Sequence, residues 1–191
     1  MNKPNRKEQI KSCAARLFRK RGFTATSVRD IAAELNIEAP SLYNHIKGKQ
    51  ELLQLLLLEL AGEFTTGMET VYGSNLAAKE KLERLIKLHV DLTISHTDGM
   101  ALLTSDWVHL EEPAYSTFVS QRDAYEVAFR EILKEALHTD KNDKVDLDLA
   151  LFSMLSTLRW LYSWYLKNQK VNQIELEKEM VRNLLTGLFQ E

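Results

Sequence analysis

Glycine, proline and cysteine are scarce in this chain of 191 residues, which has seven glycines, three prolines and one cysteine. No glycine occurs between Gly99 and Gly187, and so long a stretch with few residues that interrupt secondary structure favours long helices. A single cysteine, Cys13, excludes an intrachain disulfide. It lies beside Ala14 in a helical pattern, so we expect a small, buried or half-buried side chain. Apolar residues make up 45% of the chain, which is enough for a sizeable core.

Hydrophobic runs typical of export or membrane insertion are also lacking. The sequence begins MNKPNRKEQI, without the apolar core of a signal peptide, so we expect a cytoplasmic location. Residues 147–166 are strongly apolar, but Asp148 and Arg159 interrupt them. We therefore expect no membrane span.

Motifs of common enzymes and metal sites are missing as well. The sequence contains no HExxH, no CxxC and no glycine-rich phosphate loop. His89 and His96 lie seven residues apart on one helical face, with Asp91 nearby, and a metal site there is the alternative to two unrelated histidines. The adjacent Glu111 and Glu112 are typical of charges at a helix start. We expect no enzyme, no cofactor and no metal.

Charge is distributed unevenly, although the net charge is only −2. Residues 1–53 hold eleven basic and five acidic side chains, a net of +6, and the remaining fourteen basic and twenty-two acidic side chains give −8. A basic head on an acidic body indicates a polyanionic partner at one end, with an ordinary solvated charged face as the alternative.

Apolar residues recur with the period of an α-helix through most of the chain. Ile10, Ala14, Leu17 and Phe18 form the first stripe, and Gly22 ends that helix. A long helix is predicted from Lys49 to Tyr72. Further helices are predicted over residues 82–92, 100–110, 113–133, 146–166 and 174–189, with a loop over 138–144. Without strand alternation, the sequence predicts an all-α protein of about nine helices.

Residues 27–46 have the dimensions of a helix-turn-helix. Thr26 or Ser27 caps its first helix, Asn36 ends that helix in the left-handed conformation, and Pro40 opens a short second helix that we expect to reach Ile46. A helix of this kind fits the major groove of B-DNA. Its hydroxyl, amide and cationic groups suit phosphates and base edges. The outward set of this helix is Ala39, Ser41, Tyr43, Asn44 and His45, flanked by Lys47 and Lys49, and with Arg29 and Pro40 these are predicted DNA contacts.

Five segments in register resemble the head of TetR-family transcriptional regulators. They are AARLF at 14–18, RGF at 21–23, TATSVRDIA at 24–32, SLYNHI at 41–46 and KQELL at 49–53. The resemblance implies phosphate and groove contacts by Tyr43 and His45, and phosphate contacts by Thr26, Ser27 and Lys49. Two positions depart from the family's pattern, Asn36 in place of glycine and Glu38 in place of a small hydroxyl residue, and Glu38 leaves the base preference open.

The body resembles the C-terminal domains of acyl-CoA-responsive TetR-type repressors, which bind thioesters of fatty acids or steroid catabolites. The similar segments are DW at 106–107, RDAY at 122–125 with FR at 129–130, and WLYSWY at 160–165. The candidate ligand-binding residues are Trp107, Phe118, Arg122, Tyr125, Phe129, Trp160 and Trp164. Two alternatives stand beside this hypothesis: the aromatic residues form core, and Arg122 and Arg130 pair with Glu126 on the surface rather than with CoA phosphates.

The resemblance also implies a homodimer formed by the last two helices of each subunit. The apolar surfaces available for it are Leu151, Leu155, Leu158, Ile174, Val181, Leu184, Leu185 and Leu188. We therefore expect a DNA-binding domain over residues 1–48 and a ligand-binding and dimerisation domain over 49–191. The predicted function is a regulator, most simply a repressor, that binds a palindromic double-stranded operator and is released by a small hydrophobic or acyl-CoA-like effector. A helical protein-interaction module or an enzyme are the alternatives.

Overall fold

The computed structural model describes residues 5–137 and 147–186. These ranges form nine α-helices and one short 3₁₀ helix, and no strand occurs within them. The helices are α1 (Arg6–Arg21), α2 (Val28–Glu34), α3 (Ala39–Leu42), α4 (Lys49–Tyr72), α5 (Ala78–Ser95), α6 (Thr97–Ser105), the 3₁₀ helix (Trp107–His109), α7 (Ala114–Ala136), α8 (Leu147–Tyr165) and α9 (Gln173–Thr186). The predicted all-α fold is confirmed. The predicted loop at 138–144, and the prediction for Leu188, lie outside the described residues.

The described residues divide into two compact units. The first unit runs to Ala61 and also includes Asp98–Val119. The second unit comprises Gly62–Thr97 and the described residues from Ser120 onwards. Both α4 and α7 contribute residues to each unit, so packing does not divide the chain after residue 48. The predicted functional division into residues 1–48 and 49–191 stays a prediction.

The core of the first unit forms where apolar stripes of α1, α2, α3 and α4 meet. Phe18, Ile31, Leu42 and Leu52 are fully enclosed there. Residues of Asp98–Val119, the second segment of this unit, belong to the same core, among them Phe118, which is 2% exposed. Burial of one aromatic or branched side chain contributes about 1.5–3 kcal/mol to the free energy of folding. This core therefore stabilises the first unit without disulfides.

The second unit is built around α5, which packs against α8 and α9. Leu82, Leu85 and Ile86 of α5 are fully buried. Helix α8 buries Leu155 and Leu158, and α9 buries Leu185. These three leucines were predicted to form part of a dimer surface. That prediction is wrong for them, because they are covered within one protomer.

Two helix ends differ from prediction. Helix α3 ends at Leu42 instead of Ile46, because the backbone changes there to hydrogen bonds between residues three apart, as in a 3₁₀ helix. The Asn44 amide donates to the Ser41 carbonyl at 3.4 Å, and the His45 amide donates to the Leu42 carbonyl at 2.9 Å. The predicted helix over 100–110 breaks at Ser105 into a separate 3₁₀ helix. No helix within 5–137 or 147–186 combines the length and apolarity needed to cross a membrane.

Candidate functional site

The turn between α1 and α2 is held from inside the protein. Gly22 has φ +85° and its amide donates to the Phe18 carbonyl at 2.7 Å, which ends α1 as predicted. Thr26 is 1% exposed and its hydroxyl donates to the Gly22 carbonyl at 2.9 Å. The prediction that Thr26 contacts phosphate is therefore corrected: its side chain is buried and stabilises the turn.

Lys49 closes the same turn from the start of α4. Its ammonium donates to the carbonyls of Phe23 at 3.1 Å, Thr24 at 3.2 Å and Thr26 at 3.2 Å. It also lies 4.6 Å from the centre of the Phe23 ring, a cation–π distance. Sequence reasoning assigned Lys49 to phosphate, but the structure uses all three of its N–H donors within the protein. Nothing in a linear pattern signals this contact across more than twenty residues.

Helix α2 begins with a capping box. The Ser27 hydroxyl accepts from the Asp30 amide at 3.2 Å, and the Asp30 carboxylate accepts from the Ser27 amide at 2.8 Å. The Ser27 hydroxyl also donates to the Asp30 carboxylate. This hydrogen bond, with the one from the Ser27 amide and with Arg21 at 3.5 Å, lowers the pKa of Asp30. Ser27 is exposed and lies at the positive end of the α2 dipole, a suitable position for phosphate.

The turn between α2 and α3 is a Schellman motif. Asn36 has φ +52°, its amide bonds the Ala33 carbonyl at 3.1 Å, and the amide of Ile37 bonds Ala32 at 3.0 Å. The left-handed Asn36 confirms the sequence interpretation. Glu38 stands at the N-cap of α3 without a side-chain capping bond, and it is exposed.

Residues 39–47 project a polar, partly cationic surface. Leu42 and Ile46 face inward, at 0% and 3% exposure, whereas Tyr43 is 56% exposed. The other predicted contacts lie on the outer side. Five of them are exposed, and Ala39 is half-buried; the exposed ones are Pro40, Ser41, Asn44, His45 and Lys47. This surface thus combines hydroxyl, amide and cationic groups, which are the groups that contact phosphates and base edges.

Basic side chains around this surface differ in their partners. Arg16 pairs with Glu34 at 2.8 Å, and Arg19 pairs with Asp98. Arg29 and Lys47 are exposed, and within the described part of the chain neither forms an ion pair. They are therefore the cations best placed to meet an external phosphate.

The predicted ligand-binding residues are divided between the two units. Trp107 stacks on Tyr115 and Phe118, at 5.9 and 6.0 Å between ring centres, within the first unit. Phe129 is completely buried in the second unit. Trp160 and Trp164 are 58% and 46% exposed on α8.

The two candidate CoA-binding arginines are ion-paired. Arg122 bonds the neighbouring Asp123 at 3.0 Å, and Arg130 pairs with Asp148 on α8. The predicted alternative, surface salt bridges, is therefore right for both arginines. Glu126, the predicted partner, pairs with Arg159.

A cavity of about 520 Å³ does occur in the second unit, between α4 and α7. It is lined by Thr65, Met68, Glu69, Tyr72, Ser120, Gln121, Ala124, Tyr125, Val127, Ala128 and Glu131. Tyr125 is the one predicted ligand residue in this lining. The volume is within the range of small-molecule sites, about 300–1,000 Å³.

Tyr125 is backed by a buried histidine that sequence reasoning considered only as a metal ligand. His89 Nε2 lies 3.0 Å from the Tyr125 hydroxyl, and the Phe64 ring lies 4.7 Å from the His89 ring. Burial, with a smaller effect of Arg159, lowers the pKa of His89 from 6.5 to about 3, and burial raises the pKa of Tyr125. Both groups are neutral at physiological pH.

The alternative of a metal site at His89, Asp91 and His96 has no support in the described residues. His96 instead lies 3.3 Å from Glu63. No group of three possible ligands is close enough to hold a metal ion within these residues.

Two family models match the chain and together cover most of it. Residues 10–56 match the model described as bacterial regulatory proteins, tetR family, and residues 75–188 match the one described as tetracyclin repressor-like, C-terminal domain. The HTH-type transcriptional repressor KstR2 of Rhodococcus jostii is 26% identical over 191 residues, with 97% of this chain and 92% of the relative covered.

Solved structures show the same fold. The ketosteroid transcriptional regulator KstR2 of Mycobacterium tuberculosis superimposes with a TM-score of 0.89 at 21% identity, over 100% of this chain and 98% of that one. AibR, solved in complex with isovaleryl coenzyme A and operator DNA, gives a TM-score of 0.75 at 21% identity, over 93% and 97% of the two chains.

Proposed function

This chain belongs to the TetR family of transcriptional regulators, and we propose that it acts as a homodimeric repressor released from a palindromic operator by a small hydrophobic effector. It is a DNA-binding regulator rather than an enzyme. The observation that carries the proposal is the exposed outer surface of residues 39–47 on a helix-turn-helix with a buried core. A cytoplasmic location is part of the proposal, because chromosomal DNA is the proposed partner.

Recognition of DNA is assigned to the exposed part of the head. Ser27 at the start of α2, with Arg29 and Lys47, supplies phosphate contacts, which position the protein without reading sequence. Ser41, Tyr43, Asn44 and His45 enter the major groove and contact base edges and phosphates. Thr26 and Lys49 support this surface from behind.

Dimerisation is assigned to an exposed apolar face of α8. Leu149, Phe152, Trp160 and Trp164 are 60%, 67%, 58% and 46% exposed. At about 100° per residue they fall within an arc of about 120°. Three serines lie on the same arc, at 153, 156 and 163, and such small residues permit the close approach of a second helix. Ile174 on α9 is 75% exposed and extends the apolar surface.

A second copy suits this face because a two-fold axis pairs identical surfaces. The same axis relates two recognition segments, so the two half-sites are expected about one DNA turn apart. The exposed tryptophans, predicted as ligand contacts, take the role of interface residues in this proposal.

Release by an effector is assigned to the α4–α7 cavity. A ligand lowers operator affinity only to the extent that it binds the released conformation more tightly than the bound one. An acyl thioester is the effector suggested by the resemblance to acyl-CoA-responsive regulators and by the isovaleryl coenzyme A in the AibR structure. The lining of this cavity, largely apolar with the carboxylates of Glu69 and Glu131, instead favours a small lipophilic molecule without negative charge.

Fluorescence anisotropy with labelled DNA from the region upstream of the protein's own gene tests the regulator, at two salt concentrations. We expect sequence-selective binding that weakens as salt rises, because displaced counterions accompany each phosphate contact. Tyr43→Ala is expected to weaken it about tenfold, the loss of a hydrogen bond to a charged group. Val108→Ala is the matched control, because Val108 is 55% exposed, outside residues 39–47, in the same unit. Selective binding to no genomic fragment contradicts the proposal.

A further inference from the structure

The lining of the α4–α7 cavity has one sign of charge. Glu69 of α4 and Glu131 of α7 both line it, and none of the described lining residues is a lysine, arginine or histidine. Glu131 accepts a hydrogen bond from the Tyr72 hydroxyl at 2.6 Å, which holds this carboxylate at the wall of the cavity. Lys81 contacts Tyr72, but its ammonium donates to the Tyr72 carbonyl at 3.0 Å and is not part of the lining.

The other polar groups of the lining carry no charge. The hydroxyl groups of Tyr72 and Tyr125 have partners already, in Glu131 and His89. The side-chain oxygen of Gln121 has no exposed surface, so this atom does not face the open space of the cavity. Glu69 and Glu131 therefore set the charge of the cavity, and the charge that complements them is positive.

The remaining wall is apolar and suits a hydrocarbon body. Met68, Ala124, Val127 and Ala128 contribute it, with the ring faces of the two tyrosines. Small-molecule sites commonly combine such a wall with a few polar groups that orient the ligand. An anion in this cavity would be repelled by the two carboxylates. The two arginines considered for CoA phosphates are ion-paired with Asp123 and Asp148.

We propose that this cavity binds a lipophilic organic cation, an ammonium group on an apolar body, with the ammonium between Glu69 and Glu131. This inference deepens the proposed function by naming the chemical class of its effector, and it rests on that function only for the consequence at the operator. The ammonium donates hydrogen bonds to the two carboxylates, and the apolar body lies against Met68 and Val127.

The test uses three probes with one hydrocarbon chain and three head groups: decylammonium, decanol and decanoate. Their binding to the full protein is measured without DNA by isothermal titration calorimetry, below the concentrations at which they form micelles, with decanoyl-CoA as a fourth ligand. We expect decylammonium to bind about tenfold more tightly than decanol, a 1.4 kcal/mol preference that two carboxylates can supply. Decanoate and decanoyl-CoA are expected to bind more weakly than decanol.

Substitutions test whether the two carboxylates cause the preference for decylammonium over decanol. Glu69→Gln with Glu131→Gln is expected to remove the advantage of the cation over the alcohol while leaving decanol affinity within twofold. Glu83→Gln with Glu175→Gln changes the charge equally at two carboxylates that do not line the cavity, and it is expected to keep the advantage. If the variant with both cavity substitutions does not fold, the order of the four ligands' affinities for the unsubstituted protein decides whether the inference holds.

Equal or tighter binding of decanoate or decanoyl-CoA, or binding of none of the probes, overturns the inference. Operator binding by the ligand-free protein, measured separately, is unaffected by these outcomes. Failure of the ligand class is thus distinguished from failure of the regulator.

Discussion

Replacing Lys49 with methionine separates a structural role of this lysine from a phosphate contact. Methionine keeps the aliphatic stem over Phe23 but removes the charge and the donors to three carbonyls. Each hydrogen bond from a charged donor contributes about 1.5–3 kcal/mol. The three hydrogen bonds share one ammonium of a half-buried lysine, and Thr24 is an exposed residue, so we expect a total loss of about 2 kcal/mol. This corresponds to a fall in melting temperature of about 4–8 °C.

The matched control is Lys47→Met, which removes the same charge from an exposed position two residues away. Its stability is expected to change by less than about 0.5 kcal/mol, whereas its salt dependence of operator binding falls by about one unit of slope. Thermal unfolding by circular dichroism, amide exchange of the peptide spanning 23–35, and anisotropy at several salt concentrations measure the three quantities. An unchanged melting temperature for Lys49→Met, together with a reduced salt slope, refutes the assignment and restores the phosphate contact.

Three further substitutions test other parts of the structure. Gly22→Ala is expected to destabilise the protein by about 1–3 kcal/mol in urea unfolding, because φ +85° is strained for a residue with a Cβ; Gly48→Ala, with open space around its Cβ position, serves as the control. Phe152→Glu is expected to give a monomer in sedimentation velocity, while Val108→Glu, at a similarly exposed apolar residue, leaves the dimer intact, and a dimeric Phe152→Glu protein contradicts the α8 interface. His89 has a folded pKa of about 3 against 6.5 when unfolded, so the unfolded state binds more protons between these values. Stability is therefore expected to fall as pH drops from 6.5 towards 3, by at most about 1.4 kcal/mol per unit from this group. His89→Gln removes that part of the slope in urea unfolding measured across the range, and an unchanged slope contradicts a buried neutral His89.

The head was predictable because its signals are local. The stop at Gly22, the cap at Ser27 and the left-handed Asn36 each depend on residues within one or two turns of the chain, and the structure confirms all three. The end of α3 was not predictable in the same way. No proline or glycine follows Leu42 until Gly48, so the sequence has no marker for the point at which the backbone tightens.

The sequence predicted that the charged residues of α7 form ion pairs, but it did not identify their partners. Glu126 lies four residues from both Arg122 and Arg130, which is the spacing of a favourable helical pair. In the structure Glu126 pairs with Arg159 of α8, and Arg130 pairs with Asp148 of the same helix. Spacing identifies the neighbours available within one helix, but the partner is decided by which charges a second helix brings to the same surface.

The aromatic residues show the same limit for function. An exposed tryptophan on a helix has an apolar ring that needs cover, and a bound ligand or a second subunit meets that need equally well. Sequence similarity favoured a ligand for Trp160 and Trp164. The structure adds that both share an arc of α8 with Leu149 and Phe152, which are at least as exposed. A surface that continues along a helix for about four turns matches another helix better than it matches a small molecule. The cavity at Tyr125, which lies between α4 and α7 and has two carboxylates in its lining, has the size and the chemistry that the tryptophans lack.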